Sequence, residues 1–158
     1  MTHSQDLSSP YSRILVATGG ASHSQVAEQR AMHLAKQFQV PLEVVVVAPL
    51  MGGPLVQMAI ALPGSEPLEA QATDTLLQER QTVLNRVLQD TQQQGIQARG
   101  HLIQSVNAAE AILQIAQQTG ADLIVMGRRH LTALGAAFSG STGDQVSHAS
   151  GVDVLIAR

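Results

Sequence analysis

Ile14-Leu15-Val16-Ala17-Thr18-Gly19-Gly20 sets four apolar residues in a row against a glycine pair. A continuous apolar run fits a strand covered on both faces, because a strand with one wet face would alternate. The strand is read over Arg13–Thr18, and the glycines break it. The period then changes. Val26, Ala27, Ala31, Leu34, Ala35 and Phe38 recur at helical spacing between Ser22 and Phe38, and Pro41 ends that segment. Leu42–Ala48, rich in valine, is a second buried strand. Strands alternating with helices predict a parallel sheet.

Further along, Pro49–Pro67 carries Pro49, Pro54, Pro63 and Pro67 with Gly52, Gly53 and Gly64. It reads as a long loop with one helical turn near Val56–Leu62. Loops of this length often cover a site; a solvent-facing insertion fits equally. Glu69–Gln94 is a long helix with Leu76, Leu77, Val83, Leu84, Val87 and Leu88 at helical spacing, stopped by Gly95. Ile96–Gln104 alternates Ile96, Ala98, Gly100 and Leu102 with Gln97, Arg99 and His101, as a half-exposed edge strand would. Asn107 is placed to cap a helix that carries Ile112, Ile115 and Ala116 and ends at Gly120. Leu123–Met126 is a fourth strand, Thr142–Ala149 a short helix and Val152–Ala157 a fifth strand. The expectation is a polar, disordered leader over residues 1–12. One α/β domain over residues 13–158 follows, with helices on both sheet faces and right-handed crossovers.

Composition narrows the function. The 158 residues are 44% hydrophobic and only 2% aromatic, so the core is aliphatic. Nine basic and twelve acidic residues give a net charge of −3, with no Lys/Arg-rich run, which argues against nucleic acid. There is no cysteine, which rules out disulfides, thiolate metal sites and a Cys nucleophile. The six histidines form no His-x-x-x-His pair, so no zinc site is expected. Val44–Leu50 and Ala59–Leu62 are far shorter than the ~20 residues that span a bilayer, and Met1–Tyr11 lacks a signal-peptide core. A soluble cytoplasmic protein without a membrane partner is expected.

Open parallel sheets bind ligands beyond the carboxyl ends of their strands, where strand order reverses. Two loops stand out there. One is Thr18-Gly19-Gly20-Ala21. The other is Gly127-Arg128-Arg129-His130, with Gly140-Ser141-Thr142 beyond it. If the first and fourth strands are neighbours, the loops meet at one crevice, where glycines let the main chain approach a ligand and adopt positive φ. Main-chain N–H groups at Ser141–Gly143 would open a helix and suit a phosphate. Two plainer readings stay open: Gly127 as a strand end, and Gly140-Ser141 as a turn with an N-cap.

Other residues carry less. His33 reads as a helix-surface residue, and His23 as near the presumed crevice but capping or exposed. Asp74, Glu79 and Asp90 fit a solvated helix face, and Asp144 a favourable first-turn charge. Met51, Met58 and Leu62 fit ordinary packing, with a pocket lining or partner surface as the alternative. Ser22 and Ser24 after the glycine pair resemble the Ser-Gly-Gly-x-Asp-Ser loop of ATP pyrophosphatases, with Thr18 for the first Ser and His23 for the Asp. No Gly-x-Ser-x-Gly elbow or paired acids occur, so no catalytic residue is assigned and slow ATP hydrolysis is the only activity left open.

The chain resembles the universal stress protein family from Ser12 to Arg158. Ile14-Leu15-Val16-Ala17 with Gly20 and His23-Ser24 is similar to its opening strand and loop, and Ala121-Asp122-Leu123-Ile124-Val125-Met126-Gly127 to its fourth strand. Gly127 and Gly140-Ser141 fit its pattern of Gly, two residues, Gly, nine residues, Gly-Ser/Thr. The resemblance implies an open, Rossmann-like five-stranded parallel sheet in order 3-2-1-4-5. It implies a homodimer through the last strand, with Val152, Val154, Leu155 and Ile156 at the interface. It also implies a stress-response or signalling module with an unidentified protein partner, binding ATP or AMP. Thr18, Gly20 and Val47 would border base and ribose. Gly127, Arg128, Gly140, Ser141 and Thr142 would hold phosphates, and Gly19, Met126, Arg129 and His130 would complete the set.

Three departures count. His130 replaces the second Gly. Gly19 replaces an Asp associated with ribose and metal, which weakens the case for magnesium. Val106-Asn107-Ala108 replaces a segment that often reads Gly-Asp-Pro. The alternative is a dimeric protein-interaction module of the same family that does not bind ATP.

Overall fold

The computed structural model describes residues 8–50, 63–64, 66–128 and 141–158. Strands β1 (Ile14–Ala17), β2 (Leu42–Pro49), β3 (Ala98–Ser105), β4 (Leu123–Gly127) and β5 (Asp153–Ala157) form one parallel sheet in the order β3-β2-β1-β4-β5. The helices are α1 (Ser22–Phe38), α2 (Glu66–Gln93), α3 (Ala108–Thr119) and α4 (Thr142–Ala149). The expected strand order is the one found. Central β1 pairs Val16 with Val44 on one side and with Val125 on the other.

Alternate residues of the strands face opposite layers. Ile14, Val16, Leu42, Val44 and Val46 pack under α1 and α2 against Ala27, Ala31, Ala35, Leu84 and Val87. Leu15, Val45 and Ile124 pack under α3 and α4 against Ile112, Ile115 and Val146. With both faces covered, β1 needs its unbroken apolar run.

The structure corrects the reading at several points. In α1 the buried residues are Ser24, Ala27, Glu28, Ala31, Met32 and Ala35, while Val26, Leu34 and Phe38 are half-buried. The small alanines allow close approach to the sheet, and Glu28 and Met32 turn toward α2. Helix α2 starts three residues before the expected Glu69, because Pro67 falls in its first turn, where a missing N–H costs no helix bond. His101, expected on a wet face, is half-buried, with Nε2 2.7 Å from Oε2 of Glu43. Arg13 Nη1 donates to the other Glu43 oxygen at 2.5 Å. This fully buried carboxylate joins β1, β2 and β3 at the end of the sheet away from the glycine loops.

Tyr11 and Ser12, expected in the leader, bond to the strands' flanks. Ser12 N–H and hydroxyl both donate to Asp122 at 2.8 Å, and the Tyr11 hydroxyl donates to Asp153 at 2.9 Å. The Tyr11 ring meets Phe38 edge-on at 6.0 Å. Residues 1–7 of the expected leader and the expected turn at Val56–Leu62 lie outside the described residues.

Candidate functional site

β1 and β4 are neighbours, so their C-terminal loops do form two lips of one crevice, of about 800 Å³. One lip is the Thr18–Gly20 turn with the start of α1. The other is Gly127 and Arg128 with the start of α4. Of the expected residues, Thr18, Gly19, Val47, Met126, Gly127, Arg128, Ser141 and Thr142 line the crevice. Gly20 stands behind the first lip. Arg129, His130 and Gly140 lie outside the described residues.

Each lip is built by packing. Gly20 has φ +82°, and a Cβ there would stand 2.6 Å from Cγ2 of Val83 on α2. A Cβ at Gly127 would stand 2.0 Å from the carbonyl oxygen of His23. The glycines read as leaving room for a ligand leave room first for α2 and for the start of α1. Thr18 is buried, and its hydroxyl donates to Glu28 while accepting the Gly20 N–H at 3.2 Å. Glu28 in turn takes two bonds from Arg86, Nη1 at 2.9 Å and Nη2 at 3.0 Å. The Glu28 hydrogen bond holds the Arg86 guanidinium above its ordinary pKa, although burial opposes it. The Thr18 hydroxyl proton is therefore spent on Glu28, and what that residue offers the crevice is position.

Ser141 is the N-cap of α4, its oxygen accepting the Asp144 N–H at 3.2 Å. The plainer reading of Ser141 thus holds. It leaves the hydroxyl proton and the Thr142 and Gly143 N–H groups, which have no intrahelical acceptor, at the rim. Helix α1 also begins here, and its N-cap, Ala21, gives no side-chain bond. Two helix N-termini, each with partial positive charge, flank one crevice.

Arg80, Arg158, Ala108 and Ile112 also line the space and were not expected there, and His23, expected near the crevice, lines it as well. Arg158 follows β5 by one residue. Arg80 comes from α2, one turn before Val83. Its helical phase was legible, but the passage of α2 over the β1 loop was not. The strand order divides the lining. Val45 and Val47 of β2 with Ala108 and Ile112 of α3 make one end apolar. Arg128, Arg158 and the start of α4 make the other end cationic, with the exposed Asp144 as the opposing charge. Among the described residues, no three His, Cys, Asp or Glu side chains could hold a metal ion, and no helix is long and apolar enough to cross a membrane.

The universal stress protein family matches residues 10–158, and the chain belongs to that family. Universal stress protein MJ0531 of Methanocaldococcus jannaschii is 29% identical over 94% of this chain and 82% of its own. Among solved structures, a universal stress protein in complex with cAMP superposes with TM-score 0.70 at 20% identity, covering 95% of this chain and 99% of that one. The universal stress protein from Archaeoglobus fulgidus in complex with dAMP gives TM-score 0.56 at 21% identity, over 94% and 98%.

Proposed function

We propose that this chain binds an adenine nucleotide in the crevice between β1 and β4 and acts as a nucleotide-responsive signalling module. The observation that carries the reading is convergence: two helix N-termini and three arginines meet at one crevice of a chain whose net charge is −3. The base lies against Val45, Val47 and Ile112. The ribose crosses the end of β1. The phosphate sits at the start of α4, held by Ser141, Thr142 and Arg128. The complexes of two structural neighbours with cAMP and dAMP support the same ligand class. Gly19 offers no carboxylate for a divalent ion, so binding is independent of magnesium. No residue is assigned a catalytic role.

The module works as a dimer. β5 is an edge strand with Val152 exposed and Val154, Leu155 and Ile156 half-buried, a surface that needs a partner or protection.

Isothermal titration of the full chain with ATP, ADP and AMP, each with magnesium and with EDTA, tests the reading. At least one nucleotide binds with Kd below about 1 mM, unaffected by EDTA. Ser141→Ala weakens it about tenfold, as loss of a hydrogen bond to a charged group does. No saturable heat at millimolar nucleotide would overturn the reading in favour of a protein-interaction module.

A further inference from the structure

The Gly19 carbonyl accepts a hydrogen bond from Arg80 Nη1 at 2.8 Å, and a Cβ at residue 19 would stand 2.8 Å from that same nitrogen. The guanidinium thus lies directly against Gly19 at this lip. A guanidinium carries five N–H donors, and this bond uses one. Arg13 and Arg86 each hold a buried carboxylate. Among the described residues no carboxylate lies within 4.0 Å of Arg80. Arg80 is half-buried and lines the crevice. Among the described residues it is a cation without a counter-charge, at a lip distinct from the Arg128 and Arg158 end.

Strand order says which part of a ligand it meets. β1 lies between β2, which floors the apolar end, and β4, which borders the cationic end. A nucleotide with its base at β2 and its 5′-phosphate at α4 must carry its ribose past the end of β1, beside Gly19 and Arg80. A monophosphate held at α4 leaves Arg80 unneutralised. A phosphate on the ribose 2′ or 3′ oxygen supplies the missing anion, and arginine takes phosphate through two parallel N–H···O bonds.

We propose that Arg80 is a second anion-binding point, and that the preferred ligand class is an adenosine nucleotide bearing a further phosphate on its ribose. This rests on the nucleotide reading above. The test is calorimetric titration of the full chain with AMP, adenosine 2′,5′-bisphosphate and adenosine 3′,5′-bisphosphate. At least one bisphosphate binds about tenfold more tightly than AMP, the gain of a charge-assisted pair. Arg80→Ala abolishes that gain, read as the ratio of the AMP Kd to the bisphosphate Kd falling to about one. Gly19→Asp, which puts a carboxylate beside Arg80, abolishes it as well, so the result does not hang on one variant. If AMP binds and neither bisphosphate binds more tightly, or if the gain survives Arg80→Ala, Arg80 is only a clamp on the loop and the proposal falls alone. If none of the three binds, the nucleotide reading falls and takes the proposal with it.

Discussion

Gly127 of β4 lies so close to His23 of α1 that a methyl group on it would stand 2.0 Å from the His23 carbonyl oxygen. The contact is with main chain, which cannot rotate aside. It sets the start of α1 against the end of β4 and so fixes the distance between the two lips. Gly127→Ala must push α1 away. The expected cost is about 2 kcal/mol, the usual scale for overpacking, read as a lower urea midpoint at unchanged m-value. A wild-type midpoint would show that the lips are not so tightly set.

The buried Glu28 supports the same lip from behind. It accepts the Thr18 hydroxyl and both Arg86 bonds, so Glu28→Ala strands three donors on two side chains at once. Arg86 is 40% exposed and recovers part of its loss in water, so the expected cost is about 2 kcal/mol. Glu28→Gln, which keeps an acceptor, costs less. Both variants weaken AMP binding by loosening the Thr18–Gly20 turn. Full AMP affinity in a folded Glu28→Ala protein would remove that network from any role in the site.

Much of the fold was legible because β1 and β4 are apolar on both faces and each crossover helix has its own stop. The short helix Thr142–Ala149 and the Asn107 cap fall where the spacing puts them. The site was legible only along the strand ends. Thr18, Gly127 and Ser141 mark themselves as glycine-turn and cap residues, whereas Arg80 and Glu28 sit inside ordinary helix patterns. Their importance comes from α2 crossing the β1 loop, a tertiary fact with no local signal. For the same reason Gly20 and Gly127 suggested room for a ligand, when the first atoms they make room for belong to Val83 and His23.

The N-terminal segment gives a pH signature. Burial pushes the Asp122 carboxyl up, but hydrogen bonds from the Ser12 N–H, the Ser12 hydroxyl and the Arg13 N–H outweigh it and hold the group below its ordinary 3.8. A folded pKa below the unfolded one adds stability that is whole above the unfolded value and is lost as pH falls through the lower folded value. Asp122→Asn should therefore destabilise at neutral pH and flatten the acid limb of the stability curve below about pH 4. An unchanged acid limb in urea titrations would assign the acid sensitivity to other carboxylates.

The open edge of β5 predicts self-association. Light scattering after size exclusion should give a dimer, and Val152→Lys combined with Val154→Lys should give a monomer that keeps its helical signal, since edge lysines oppose strand pairing. A wild-type monomer at high micromolar concentration would remove the dimer from the account.

The central claim is that one small molecule touches both lips together. Titration of the isotope-labelled chain with AMP, followed by amide NMR, reads this directly. The account predicts that Gly19, Gly20, Gly127, Arg128, Thr142 and Gly143 shift in concert with one Kd. Shifts confined to one lip, or none at millimolar AMP, would contradict it.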